Sequence, residues 1–337
     1  ISGLPYYYIR GAPPSAVGYF IDDVRVPYLF HFALGPGVIQ PAIVEEVAMH
    51  PAAFPGRFGR YAGAIVAGKT REPPTRLSGE GQIRIYDMGA YAEAPFGKDD
   101  RFAAGVGGRF SYTAALFSLV AKDTTVEYRD YNARASYELN KHWRLSLLTI
   151  GSYDLASQKE TLPDGTKEEN VLFASEFHRV DVRLDQHGDD GSESRIAATL
   201  GLDRTRIEGA SFATDWVMGL RARHRVPVTR ELELEAGLDT MIDHYTGDLP
   251  SPYAVDEREY RTAQAFFEPR TDTATGAWVT ARWLWRGGVE LTVKGEDGTA
   301  RIVRAKVGLL ADGSRGLGSK LAGTKPNGQP MAFNTEL

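Results

Sequence analysis

The stretch Glu231-Leu232-Glu233-Leu234-Glu235-Ala236-Gly237-Leu238-Asp239-Thr240-Met241-Ile242-Asp243-His244 sorts its residues with a period of two. Leu232, Leu234, Ala236, Leu238, Thr240 and Ile242 fall on one face. Glu233, Glu235, Gly237, Asp239 and Asp243 fall on the other, with Met241 as the exception. A helix would scatter these residues around its circumference, whereas a strand separates them. The pattern recurs upstream. Trp216, Met218, Leu220 and Ala222 alternate with Val217, Gly219, Arg221, Arg223 and Arg225, and Ile196, Ala198, Leu200 and Leu202 alternate with Arg195, Ala197, Thr199, Gly201 and Asp203. It holds again for Tyr131, Ala133, Ala135, Tyr137 and Leu139, and for Ala277, Val279, Ala281, Trp283 and Trp285. These runs are ~10–15 residues long, against a usual strand of about 5–6. A tilted membrane strand needs ~9–11 residues in the hydrocarbon alone. Length and alternation together predict an all-β fold, a transmembrane antiparallel β-barrel.

Composition agrees. The 337 residues are 42% hydrophobic, 25% charged and 11% aromatic. There is no run of ~18 apolar residues, which excludes a transmembrane helix but not barrel strands, whose two faces average to a polar-looking sequence. The absence of cysteine removes disulfides, Cys-ligated zinc and thiol catalysis. A net charge of −5 argues against nucleic acid as a partner.

Three segments are expected: a Gly/Pro-rich unit at 1–78, barrel strands at 79–310 and a polar loop or disordered tail at 311–337. Within the first, 18–27 and 43–50 read as short strands, with a helix or turn at 41–47. Barrel strands are expected at about 81–88, 90–97, 101–120, 125–139, 142–155, 170–186, 193–207, 213–226, 229–244, 276–286 and 288–295. Short turns fall at 97–100, 140–141, 186–192 and 227–228; longer loops fall at 156–169 and 245–275, with smaller ones near 121–124 and 208–212. The alternation requires the first pair to split at Gly89. A further hairpin over 289–309 would turn at Asp297-Gly298.

Ile9-Arg10-Gly11, Phe20-Ile21-Asp22-Asp23-Val24-Arg25-Val26-Pro27, Pro41-Ala42-Ile43-Val44-Glu45-Glu46-Val47 and Arg57-Phe58-Gly59-Arg60-Tyr61-Ala62-Gly63-Ala64-Ile65-Val66 together resemble, in order and spacing, the plug domain of TonB-dependent outer-membrane receptors. The resemblance covers roughly residues 1–70. It implies a small α+β plug segment, a bacterial outer-membrane location and uptake of a scarce ligand such as a metal chelate, cofactor or glycan. It also implies TonB as a partner, although no TonB box is present and the chain is expected to begin partway through the plug. Arg10, Gly11, Asp22, Arg57, Gly59 and Gly63 carry the structural motif. Arg10 is expected to meet a barrel-wall carboxylate, with Glu176, Glu233 and Glu235 as open candidates. The family's turn glycine is replaced in Asp22-Asp23, which is expected to weaken that turn, and its glycine pairs appear as Ala52-Ala53 and Gly63-Ala64. Tyr28, Phe30 and His31 would reach the plug apex, where the family contacts ligand; packing on the barrel wall is the competing reading.

No zinc-protease spacing, nucleophile elbow or phosphate loop is present, and no enzyme activity or cofactor is expected. The acidic stretch 185–193 faintly resembles a calcium loop, but a solvated turn accounts for it. About eleven strands make half of the 22 found in plugged transporters. Closure therefore needs further sequence or a second chain. A β-rich surface or soluble binding protein without transport is the alternative function.

Overall fold

In the computed structural model the described residues are 8–13, 16–31, 36–52, 54–117, 123–161, 165–207, 213–247, 268–294, 300–312, 317–324 and 330–333, with a few single positions between; from 284 onward only the backbone is described. They form two sheets. The smaller comprises β1 (Gly18–Ile21), β2 (Val24–Val26), β3 (Val44–His50) and β4 (Ile65–Thr70), in the order β2-β1-β4-β3. Only the β1–β4 pairing is parallel. The segment expected as a helix or turn at 41–47 is a single 3-10 turn, Pro41–Ile43, running straight into β3.

The larger sheet is an antiparallel meander of thirteen strands in sequence order. They are β5 (Ser78–Ile83), β6 (Asp87–Phe96), β7 (Phe102–Ser111), β8 (Thr124–Asn140), β9 (Trp143–Thr161), β10 (Lys167–His187) and β11 (Glu193–Ile207). Then come β12 (Ala213–Pro227), β13 (Leu232–Gly247), β14 (Arg270–Lys294), β15 (Ala300–Asp312), β16 (Leu317–Thr324) and β17 (Pro330–Phe333). The fold is thus a partial antiparallel β-barrel wall, with β5 and β17 as its two ends.

Several expectations change. The sheet has thirteen strands, not about eleven, because residues 311–337, read as a tail, carry the end of β15 and all of β16 and β17. The first pair splits at 84–86, and Gly89 lies inside β6. The run 101–120 ends as a strand at Ser111, and the short helix α1 (Thr113–Phe117) follows. Most of the loop placed at 156–169 is strand, since β9 and β10 are 19 and 21 residues long. The two runs at 276–286 and 288–295 are one strand, β14, which pairs with β15 up to Lys294↔Ala300; the turn at Asp297-Gly298 lies outside the described residues. Short turns still share one end of the sheet, between β6 and β7, β8 and β9, β10 and β11, and β12 and β13.

Register explains the two faces. Leu200, Met218 and Ile242 are cross-strand neighbours, as are Ile196, Ala222, Leu238 and Ala277. Side chains on this outer face stay exposed: Ile196 63%, Leu200 61%, Leu220 60% and Val279 64%. An apolar band this continuous is not left in water by a soluble monomer. The other face is covered by the small sheet. Tyr19, Ile21, Val24, Val26, Tyr28 and Val66 form one core with Leu148, Ile150 and Phe177 of β9 and β10. On the far side of the small sheet, Phe20, Phe58 and Ile65 make a second core. Met241, the misfit of its strand, points inward and accepts a contact from Arg60 Nη1 at 3.1 Å.

Leu220→Arg places a charge in the middle of the outer band. In a bilayer it should cost ~2–4 kcal/mol and prevent assembly into lipid vesicles. On a water-facing strand the same change would stay within about 0.5 kcal/mol. Vesicle assembly and urea midpoints of the two proteins measure the difference.

Candidate functional site

The interface between the small sheet and the inner wall is held by charge. Among the residues singled out from sequence, His31 sits at its centre with no exposed surface. Its Nε2 donates to Asp130 Oδ2 at 3.0 Å, and its Nδ1 lies 3.1 Å from both oxygens of Asp154. The ring stacks on Tyr128 at 4.4 Å. Ionised carboxylates only accept, so the charged imidazole, with hydrogen on both nitrogens, is the form that satisfies both partners. Burial by itself lowers the His31 pKa, but its hydrogen bonds to Asp130 and Asp154 outweigh it and raise the value. Arg109 Nε also donates to Asp130 at 2.7 Å, and Arg109 bonds the Gly37 carbonyl of the small unit. Two cations thus face two carboxylates. Tyr128 donates to Asp87 at 2.6 Å, completing the surroundings of the ring.

Tyr28 is buried beside this cluster. It meets Phe177 edge-on at 5.1 Å, and burial raises its pKa. Phe30 is half-buried and bridges Gly37. Of the three residues expected at a ligand-contacting apex, Tyr28 and His31 are buried between the small sheet and the wall and Phe30 is half-buried. Ser152 Oγ lies 3.5 Å from His31 Nδ1. Hydroxyl, ring and carboxylates are all buried.

Further clasps follow the strands. Arg60 forks onto Asp239 at 2.6 and 2.9 Å, and Arg25 pairs with Asp243. Arg179, a wall residue, is fully buried. It donates to the Arg25 carbonyl at 2.8 Å and grips Asp203 at 2.6 and 2.8 Å. The pairing of a small-unit arginine with a wall carboxylate that was expected of Arg10 is made by Arg60 and Arg25. Arg10 instead is exposed in a tight turn at φ +51°, with Gly11 beside it. The candidate carboxylates are engaged elsewhere. Glu233 joins Arg225 and Arg282, both at 2.9 Å. Glu176 shares the outward parity of Val180 and meets Arg204 at 3.1 Å, while Glu235 is buried on the inner face.

The Asp22-Asp23 turn forms despite lacking glycine. Both residues adopt positive φ, +49° and +67°, as a two-residue type I′ hairpin requires, and Asp tolerates that region better than most residues. Asp22 accepts from Thr70 N at 2.8 Å, Thr70 Oγ1 at 2.7 Å and Arg183 Nη1 at 3.0 Å. Asp23 meets Arg57 at 3.2 Å. Arg57 also lies over Phe58 at 4.6 Å. Gly59 ends the 3-10 turn Gly56–Phe58. At Gly63 a Cβ would sit 2.7 Å from the Ala16 carbonyl, so the close approach of these two segments requires glycine. Arg60, Arg25 and their wall partners were not singled out from sequence. The signal was present in the inward parity of Asp203, Asp239 and Asp243, but the partner of each is fixed only by the fold.

No family model matches this chain, and no curated protein matches it. Among solved structures it is similar to the FrpB iron transporter from Neisseria meningitidis, at 12% identity and TM-score 0.60, covering 93% of this chain and 58% of that one. It is also similar to the siderophore receptor PirA from Acinetobacter baumannii, at 13% identity and TM-score 0.59, covering 94% and 52%. The alcaligin outer-membrane receptor FauA from Bordetella pertussis matches at 13% identity and TM-score 0.51, covering 94% and 48%. The chain spans about half the length of these structures. At such identity the likeness defines the fold: the barrel architecture of outer-membrane receptors.

Because the folded His31 pKa lies above the ~6.5 of an unfolded chain, its contribution is fully present below that value. It is lost as pH rises through the folded pKa. Hydrogen exchange in 28–31 and 36–38 should accelerate with rising pH beyond what intrinsic exchange rates predict. In His31→Gln that excess should vanish, because no protonatable ring remains.

Proposed function

We propose that residues 1–78 are part of a plug and residues 79–310 part of the barrel of a TonB-dependent receptor in the outer membrane of a Gram-negative cell. The observation that carries this reading is a small sheet clasped by charge to the inner face of a wall whose outer face is apolar. A soluble sandwich would show neither a charged interlayer nor a bare hydrophobic exterior. The structural neighbours, an iron transporter and siderophore receptors, support a ferric chelate as ligand, within the wider class of metal chelates, cofactors and glycans. TonB would act as the partner that displaces the plug.

The described part of the interface fits such a role. Around one apolar patch, where Leu148, Ile150 and Phe177 meet the small sheet, its contacts are ion pairs and hydrogen bonds on opposed surfaces, which can be exchanged for water singly. Among the described residues no helix is long and apolar enough to cross a membrane; the strands are the membrane-crossing elements.

Fractionation of native cells tests the location, and growth on ferric siderophores as sole iron source tests the ligand. The protein should be recovered with outer membranes and resist alkaline extraction, and its deletion should slow growth on at least one chelate. Recovery in the aqueous fraction would support the surface or soluble binding protein instead.

A further inference from the structure

Arg195 of β11 and Arg223 of β12 are directly opposed cross-strand partners on the inner wall. Like charges in that position repel and destabilise a sheet unless an anion lies between them. Here the anion is the Asp23 carboxylate, 3.6 Å from Arg195 and 3.4 Å from Arg223, with Arg57 of the small unit at 3.2 Å. Among the described residues Asp23 is the one carboxylate within 4 Å of Arg223, and buried Glu235 of β13 is a further anionic neighbour. A tight charge-assisted bond is about 2.7–2.9 Å. All three contacts are longer, since two carboxylate oxygens are stretched among three guanidinium forks. The same side chains line a cavity of about 580 Å³ between the small sheet and the wall. Arg221 bonds the Asp23 carbonyl and holds the hairpin tip in place, and Arg195 keeps Asp185 at 2.6 Å as a fixed neighbour.

We infer that Arg57, Arg195 and Arg223 form a binding site for a phosphate group, and that Asp23 occupies it as an internal anion. A phosphate offers more oxygens and more charge than one carboxylate, which suits three forks. The hairpin tip and the phosphate compete, so binding of one displaces the other. The inference goes beyond the receptor reading, because it concerns binding by the chain itself and does not depend on transport.

The probe is inorganic phosphate, titrated calorimetrically into the full chain in detergent against chloride at equal ionic strength. Asp23→Asn removes the competing charge, and Asn accepts the positive φ of the turn. This variant should bind phosphate about tenfold more tightly than the wild type, the effect of ~1.4 kcal/mol. Adding Arg223→Gln should abolish the gain, whereas adding Arg225→Gln, outside the cluster, should leave it. A second arm uses the wild type alone: exchange of the β1–β2 amides should be faster in phosphate than in chloride. The proposal is overturned if Asp23→Asn folds and binds no more tightly than the wild type. It is equally overturned if Arg223→Gln leaves the gain intact, or if wild-type exchange is the same in both salts.

Discussion

The arrangement depends on carboxylates that face inward from the wall. Asp130, Asp154 and Asp243 are buried and Asp203 and Asp239 half-buried, and removing one partner of a buried charge pair costs ~3–5 kcal/mol. His31, Arg25 and Arg60 of the small unit, with the wall's own Arg109 and Arg179, supply the cationic partners. The small sheet is therefore needed by the wall as much as the wall positions the sheet. Remove the sheet and several strands would carry uncompensated charge on their concave side.

The same constraint sorts the two faces. Strand periodicity sends every second residue inward, so a strand bearing Asp, Arg and Thr on one parity can bear Leu, Val and Trp on the other. The inner face solves its electrostatics locally. The outer face is left bare for a solvent that is itself apolar. The hydrophobic contribution to holding the two sheets together comes from one patch, where Leu148, Ile150 and Phe177 interrupt the polar inner face and meet Tyr19, Ile21, Val24 and Val26. Apolar contact gives the affinity there, and the surrounding ion pairs fix the orientation.

Much of this was legible in sequence because a period of two survives any tertiary context. The faces of 196–202, 216–225, 232–242 and 277–283 are as the alternation places them. The strand boundaries near Gly89 and beyond 156 were not, since extension past the membrane leaves no apolar signature. Charge pairing was the least legible feature. Arg10 lies in a resemblance motif but is exposed, while Arg179 lies in none and is fully buried. An arginine's partner is set by which strands adjoin it and where the small sheet docks. His31 shows the same limit. The resemblance implied a ligand contact for it, and only the register of β8 and β9 brings Asp130 and Asp154 to either side of its ring.

The most direct test is a double-mutant cycle on His31→Gln and Asp154→Asn, read from unfolding of the chain in detergent. If the sheet is clasped to the wall as described, the two residues should couple by ~1 kcal/mol or more, within the ~0.5–3 kcal/mol seen for contacting groups. Additive effects of the two substitutions, with coupling near zero, would contradict the clasp.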